Sequence, residues 1–198
     1  CSLSRNLADF SFPGQCNEEE KRRIEERVTD AFDNLGLLAH GHYYSLPELT
    51  FCEARFLAER RLITFDVMAD HGPRGVYVSD DQTLSIMVNG MDHLCIRTIL
   101  PGYQLHEAWA QLNLMDDTLS GLLDFAFDDR LGYLTAGLAG VGTALKAGIL
   151  LHLPGLSLMG ALGHQVQLAE KQQLRLCGIK AGVGDMARNM APSPGPSN

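Results

Sequence analysis

Residues 124–156, DFAFDDRLGYLTAGLAGVGTALKAGILLHLPGL, decide the fold of this chain. The pattern predicts a short apolar strand over residues 133–136, then a glycine-rich loop, then a second apolar run over residues 147–153 that stops at Pro154. Glycines at this density allow backbone N–H groups to approach a phosphate closely, as in a nucleotide-binding loop. The plainer alternative is a glycine-rich turn between two core strands.

The loop lacks side chains that the usual nucleotide-binding fingerprints require. Gly137 and Gly142 have the spacing of the two Walker glycines, but Thr143 stands where the phosphate-binding lysine is needed. Leu145 stands where a dinucleotide-binding loop needs its third glycine. The loop residues alone therefore leave the phosphate loop and the simple turn as alternatives.

Three blocks of this sequence occur in the order of one known pattern. The stretch from Asp128 is similar to RGYLTxCPTNxGTGLRASVxxHLPAL. Residues 3–7 with 12–13 resemble SSRxRLARNxxxxxFP, and residues 88–94 with 101–105 resemble xNEEDHxRIxxxxPGxQL. These are the motifs of guanidino (phosphagen) kinases, and the chain most closely resembles the bacterial protein-arginine kinases. The resemblance implies an α+β fold, a curved antiparallel sheet flanked by helices, here shortened at its C-terminal end.

Size and charge fit one globular domain. The 198 residues, 45% of them hydrophobic, are enough for a sizeable core, which we assign to residues 1–190. Residues 191–198, APSPGPSN, are rich in Pro, Ser and Gly and are predicted to be a disordered tail. The net charge of −8 and pI near 5.3 argue against nucleic acid as a partner, because a polyanion would be repelled.

Cysteines and hydropathy indicate a cytoplasmic protein. The five cysteines are scattered without a CxxC pair, which favours free thiols in a reducing compartment over disulfides or a metal site. No apolar run reaches the roughly 18 to 20 residues of a membrane span. No charged and then apolar signal segment opens the chain. We therefore predict no membrane association and no metal site.

Local patterns predict four helices and several strands. Asn17 and Glu20 form a capping box at the start of the clearest helix, whose apolar stripe includes Ile24 and Val28. The polar link at residues 79–82 predicts a hairpin between its flanking strands. The helix at 103–123 is predicted to contribute Trp109, Leu112, Leu119 and Leu122 to the protein core. The predicted helices are 17–38, 46–61, 103–123 and 156–171, and the strands are 75–78, 84–89, 93–100 and 175–180.

The resemblance implies which residues would hold ATP. Phosphoryl transfer needs fixed cations around the triphosphate, and arginines supply them in this family. One family arginine falls at Ser2, a second precedes Cys1, a third is kept as Arg5, and a fourth is replaced by Lys146. Arg97 lies two residues after Cys95, on the same strand face, where it either replaces a lost charge or simply faces solvent. The implied cofactor-binding residues are Arg5, Arg97, Lys146, Asn89, Asp92, His93, Gly140 and Gly142.

The catalytic positions of the family are altered here. Its two glutamates fall at Gly90 and Met91, its next arginine at Cys95, and its substrate cysteine at Gly137. Glycine and methionine cannot accept a proton or orient a guanidinium group, so we assign no catalytic residue. Asp92 and His93 are kept, and the plainer interpretation of both is a turn that caps the sheet edge.

The sequence therefore predicts a catalytically degraded guanidino-kinase-like domain with a binding or regulatory role. ATP or ADP with magnesium is expected to bind weakly or no longer. A protein partner of unknown identity is expected, and assembly into a homo-oligomer is compatible with the sequence. The alternative is an active ATP-dependent phosphotransferase that phosphorylates arginine groups with displaced residues. A third alternative is a decayed gene product without function.

Overall fold

The computed structural model describes residues 1–68, 72–172 and 174. It divides into two compact units, Cys1–Ile149 and Leu150–Asn198. The second unit contains the helices α4 (Pro154–Leu158) and α5 (Leu162–Lys171). The elements of the first unit are β1 (Ser2–Arg5), α1 (Glu18–Asn34), β2 (Gly41–Ser45), α2 (Phe51–Glu59), β3 (Gly75–Ser79), β4 (Leu84–Val88), β5 (Leu94–Thr98), α3 (Leu105–Ser120), β6 (Phe127–Asp128), β7 (Gly132–Tyr133) and β8 (Leu145–Lys146).

Six strands form one sheet in the order β2-β3-β4-β5-β1-β8, and every neighbouring pair is antiparallel. The first strand of the chain thus lies between β5 and β8. A separate two-stranded ribbon joins β6 to β7. The predicted α+β fold with an antiparallel sheet flanked by helices is confirmed, as is the hairpin between β3 and β4.

One face of the sheet is covered by α1 and α3. Strand register aligns Tyr77, Ile86, Ile96 and Leu3 in a row across four strands, and all four are at most 1% exposed. The capping box of Asn17 is confirmed, and α1 buries the predicted stripe. The capping box and the apolar stripe therefore position α1 as expected. The α1 and α3 residues that complete this core are Ile24, Val28, Ala31, Phe32, Leu112 and Leu119.

Within the first unit, residues 1–149, the opposite face is covered only in part. Helix α2 and the segment after it pack over the β3–β4 side, where Leu57, Leu62 and Ile63 contact Met87 and its neighbours. The β5–β1–β8 side instead presents side chains that are partly or fully exposed. We call this side the basic face and define it by Ser2, Ser4, Cys95, Arg97 and Lys146.

Several predictions about helices need correction. Helix α3 buries Leu112 and Leu119, but Trp109 is 38% exposed and Leu122 is 46% exposed, so their assignment to the core was wrong. The buried stripe runs through Ala108 and Leu112, and Trp109 is rotated about 100° away from Ala108. The predicted helix 46–61 is shorter and preceded by a 3₁₀ turn.

Residues 124–156 contain less regular secondary structure than predicted. Of the strand expected at 133–136, only Tyr133 lies in a strand, β7. The run from Ala147 has no regular structure up to Ile149, which is 53% exposed. In the second unit, Gly160 has φ +67° and separates α4 from α5, where one helix was predicted. The strand predicted at 175–180 and the tail at 191–198 lie outside the described residues. Nowhere in the described ranges does a helix have the length and hydropathy needed to cross a membrane.

Candidate functional site

The basic face brings two cations to either side of one serine. Ser2 on β1 is the register partner of Arg97 on β5 and of Lys146 on β8. Directly opposed residues on antiparallel strands have Cβ atoms about 4.5 to 5.5 Å apart and point to the same side. Arg97 and Lys146 therefore flank Ser2 on one surface. Their long side chains can reach a common ligand placed over it.

Cys95 lies beside these cations. Burial raises the pKa of its thiol, and the charges of Arg97 and Lys146 oppose that rise. The prediction that Cys95 and Arg97 share one face of the strand is confirmed by the register of β5.

Arg97 is also attached to the end of α2. Its Nη1 donates a hydrogen bond of 2.7 Å to the carbonyl oxygen of Arg61. Arg61 has φ +65° and ends the helix, with its N–H bonded to Ala58 and the N–H of Leu62 bonded to Leu57, both at 3.0 Å. This pair of bonds is the Schellman motif, and a cation at a helix C-terminus is stabilising. Arg97 is therefore neither a simple solvent-facing arginine nor a free phosphate ligand.

Arg5 lies on the other side of the sheet. It is 3% exposed, and its Nε and Nη2 donate to the two carboxylate oxygens of Asp116 at 2.9 and 2.7 Å. Its Nη1 donates to the carbonyl oxygens of Ser4 and Thr143, and the guanidinium lies 3.5 Å from the ring centroid of Tyr133. Arg5 was predicted as a nucleotide ligand, but its described bonds are internal, because strand alternation turns it toward α3, away from Ser2.

The motif residues Asn89, Asp92 and His93 tie loops together. The Nδ2 of Asn89 donates to the carbonyl oxygens of Lys21 and Pro73 at 2.7 and 3.0 Å. One oxygen of Asp92 accepts hydrogen bonds from the side-chain amide of Asn6 and the N–H of Ala136. These three side chains were predicted as ligand contacts, but their described bonds are internal. The alternative interpretation, a turn that caps the sheet edge, fits this geometry.

His93 is completely buried as a neutral ring. Its Nδ1 accepts a hydrogen bond from the N–H of Leu7 at 3.0 Å, so Nε2 carries the proton and donates it to the carbonyl oxygen of Ser11 at 2.9 Å. Burial lowers the pKa of His93, while the hydrogen bond to Ser11 and nearby carboxylates partly oppose that change. The ring therefore positions the residues after β1.

This burial predicts a pH-dependent stability. The unfolded chain protonates His93 below about pH 6.5, whereas the folded protein does so only at lower pH. The unfolded state thus binds more protons, and the free energy of unfolding should fall as pH drops from 7 to 5. The slope from this group approaches about 1.4 kcal/mol per pH unit. Urea titrations of the wild type and His93→Gln measure it: the variant should lose this slope, whereas the exposed control His106→Gln should keep it.

The glycine loop is closed by its own backbone. Tyr133 and Gly142 exchange two backbone hydrogen bonds of 2.8 and 3.1 Å, and Gly140 donates its N–H to Gly137. A Cβ at Gly140 would lie 2.7 Å from the Thr135 hydroxyl, and Gly142 has φ +118°. The N–H groups of Gly140 and Gly142, predicted to line a phosphate, are therefore used within the loop. The glycines here serve a tight turn, although the strands beside it are only two residues long.

Gly90 and Met91, at the positions of the two family glutamates, lie in the turn that follows β4. Met91 is 56% exposed, and Gly90 has no side chain that could accept a proton. Asp92 is the only carboxylate of this five-residue turn, residues 89–93, and it is buried and bonded internally. No group of three or more metal-ligating side chains occurs in the part of the chain that the structure describes. This turn therefore holds no carboxylate that could act on a ligand over the basic face.

Three partners escaped the sequence analysis: Asp116, the Tyr133 ring and the Arg61 carbonyl. Strand alternation in residues 2–5 would have indicated the side on which Arg5 lies. The backbone carbonyl of Arg61 left no signal in the sequence, because every residue has one.

The chain carries the three motif blocks in order and folds into a six-stranded antiparallel sheet with one helix-covered face and one basic face. Together these features define a guanidino-kinase-like catalytic domain. The model of the family described as ATP:guanido phosphotransferase, C-terminal catalytic domain, matches residues 23–191. The chain belongs to this family.

Curated relatives and solved structures agree with this assignment. The protein-arginine kinase of Pelotomaculum thermopropionicum is 38% identical over 180 residues, which are 89% of this chain and 51% of that protein. That of Halothermothrix orenii is 36% identical over 189 residues, or 95% and 54% of the two chains. This chain thus spans about half the length of these relatives.

Solved structures of the same fold are more distant in sequence. The duplicated taurocyamine kinase of Schistosoma mansoni with bound transition state analog components aligns with a TM-score of 0.69 and 22% identity, over 82% of this chain and 24% of that chain. Lombricine kinase aligns with a TM-score of 0.64 and 21% identity, over 72% and 43%.

Proposed function

We propose that this guanidino-kinase-like domain does not transfer phosphate and acts instead as a binding or regulatory domain. The observation that carries the proposal is the turn after β4, where Gly90 and Met91 occupy the positions of the family's two glutamates and Asp92 is bonded to Asn6 and Ala136. Loss of a general base alone costs about 10²- to 10⁴-fold in rate. Loss of charge stabilisation multiplies that cost.

The ligand that the basic face supports is a small oxyanion, such as a single phosphoryl group. Arg97 and Lys146 supply two positive charges on either side of Ser2. A triphosphate with magnesium needs more: Arg5 is bonded to Asp116, and Ser2 and Cys95 replace family arginines. We propose that ATP or ADP with magnesium binds weakly or no longer. A protein carrying the oxyanion is the proposed partner, in the cytoplasm.

The active alternative rests on one observation only. Arg97 lies on the same face as Cys95 and could move to supply the charge of the missing arginine. It brings no carboxylate, so proton acceptance would still have no residue to perform it. The inactive interpretation is therefore the one we propose.

A phosphotransfer assay tests this proposal. The chain is incubated with ATP, magnesium and an arginine-rich protein, and acid-labile phosphate is measured beside an active protein-arginine kinase. We expect turnover at least about 10⁴-fold below that kinase, the combined effect of losing acid–base and charge-stabilising groups. Clear turnover that Lys146→Ala abolishes would refute the inactive domain, since it would place catalysis on this face.

A further inference from the structure

We propose that Arg97 has two positions and couples an oxyanion on the basic face to the end of helix α2. In the first position its guanidinium holds the carbonyl oxygen of Arg61. In the second it turns over Ser2 and binds the oxyanion together with Lys146. This inference rests on the proposed function, because it concerns the regulation of the same site.

The sheet order places the two positions on opposite sides of β5. Arg61 is followed by Leu62 and Ile63, which pack with Met87 on the β3–β4 side. Ser85, the register partner of Arg97 on β4, is 1% exposed, because this side is covered. Ser2 and Lys146 lie on the other side of β5, toward the sheet edge. The Arg97 side chain cannot reach in both directions at once, so the two sets of contacts compete.

The contact at α2 is a single hydrogen bond that an oxyanion can replace. Nη1 of Arg97 donates to one neutral carbonyl oxygen. A doubly charged oxyanion accepts two parallel bonds from an arginine fork and adds the attraction of opposite charges, neither of which the carbonyl oxygen of Arg61 offers. The second position is therefore favoured when the oxyanion is present, and the first when it is absent.

Release of Arg97 would loosen the end of a helix that has few other attachments. Only Leu57 and Ala58 of the nine residues of α2 are buried. Arg61, directly after the helix, keeps a left-handed conformation that is costly for a residue with a side chain. Without the cation at its C-terminus, the last turn should open more often. The hydrogen bonds that the N–H of Arg60 donates to Phe56 and the N–H of Leu62 donates to Leu57 would break in this opening, so exchange of these amide hydrogens reports it.

Hydrogen exchange with inorganic phosphate as the probe tests the coupling. Exchange at the amides of residues 60–62 is followed by mass spectrometry in phosphate and in chloride at equal ionic strength, and phosphate binding is followed by calorimetry. We expect saturating phosphate to speed this exchange about fivefold or more, the size of a modest allosteric coupling. Arg97→Gln should exchange at one rate in both salts. The control Arg22→Gln, an exposed arginine of α1, should behave like the wild type.

The outcomes separate this inference from the proposed function. Phosphate binding that Lys146→Gln abolishes, without any change in exchange at 60–62, would overturn the coupling and leave the oxyanion site standing. Absence of phosphate binding would overturn both. A reciprocal measurement adds a second readout: Leu57→Ala weakens the seat of α2, so it should raise phosphate affinity several-fold by linkage. Unchanged or lower affinity in this variant would also overturn the coupling.

Discussion

Arg5→Ala is expected to lower the free energy of unfolding by about 3 to 5 kcal/mol, the cost of leaving one partner of a buried ion pair without the other. Asp116 is 6% exposed and would be left buried with both oxygens deprived of their arginine bonds. The carbonyl oxygen of Thr143 and the face of Tyr133 would lose their contacts as well. Urea unfolding followed by circular dichroism measures the change.

Two further variants separate the ion pair from simple loss of volume. Arg5→Met together with Asp116→Leu removes both charges and keeps side-chain volume, so it should recover most of the lost stability. Arg22→Ala removes an exposed arginine and should change stability by less than about 0.5 kcal/mol. If Arg5→Ala were as harmless as Arg22→Ala, Arg5 would be free to serve a ligand, contrary to the geometry.

The triple variant Gly90→Glu, Met91→Glu, Cys95→Arg is expected to fold and to remain without phosphotransfer activity. A Cβ at Gly90 would have Val67 at 3.6 Å and Asp92 at 4.0 Å as its nearest neighbours, which is ordinary contact, and Met91 is exposed. Neither substitution therefore creates a clash at its Cβ, and the carboxylate at position 91 starts from an exposed site. Ser2, Gly137 and Lys146 remain unrepaired, and groups that act as a catalytic unit give little when restored in part.

Melting temperature and acid-labile phosphate in the triple variant test this expectation. The single variant Met91→Glu, exposed and without a predicted effect on either readout, serves as the control for added charge. A folded triple variant with turnover near that of an active protein-arginine kinase would show that the scaffold had stayed competent for catalysis. It would also show that the unrepaired positions matter less than we infer.

Features encoded by local pattern were predictable from the sequence. The capping box of Asn17 and the stripe of α1 depend on residues three and four apart, and the β3–β4 hairpin depends on one polar link. The phase of α3 was predicted less well. Leu112 and Leu119 were placed in the core correctly, but Trp109, which was placed there with them, lies one residue beyond the buried stripe.

The candidate site depended more on pairing between distant strands. Alternation along β1 separates Arg5 from Ser2, but Arg5 was grouped with the phosphate ligands from the motif resemblance, although it faces α3. The row formed by Arg97, Ser2 and Lys146 needs the register of three strands. Motif resemblance supplied the positions of Asp92 and His93 but not their internal bonds.

The place of β1 inside the sheet has a consequence for how this protein folds while it is being synthesised. The first strand of the chain must wait for β5, about 95 residues later, and for β8, about 140 residues later, before either of its edges is paired. A ribosome adding about 5 to 20 residues per second needs on the order of ten seconds to deliver both. Meanwhile β3 and β4 can already pair through their short hairpin, since closing short loops costs little entropy, and β2 can join them across residues 46–74. Folding during synthesis should thus begin at the β3–β4 hairpin and end when β1 pairs with its two late neighbours.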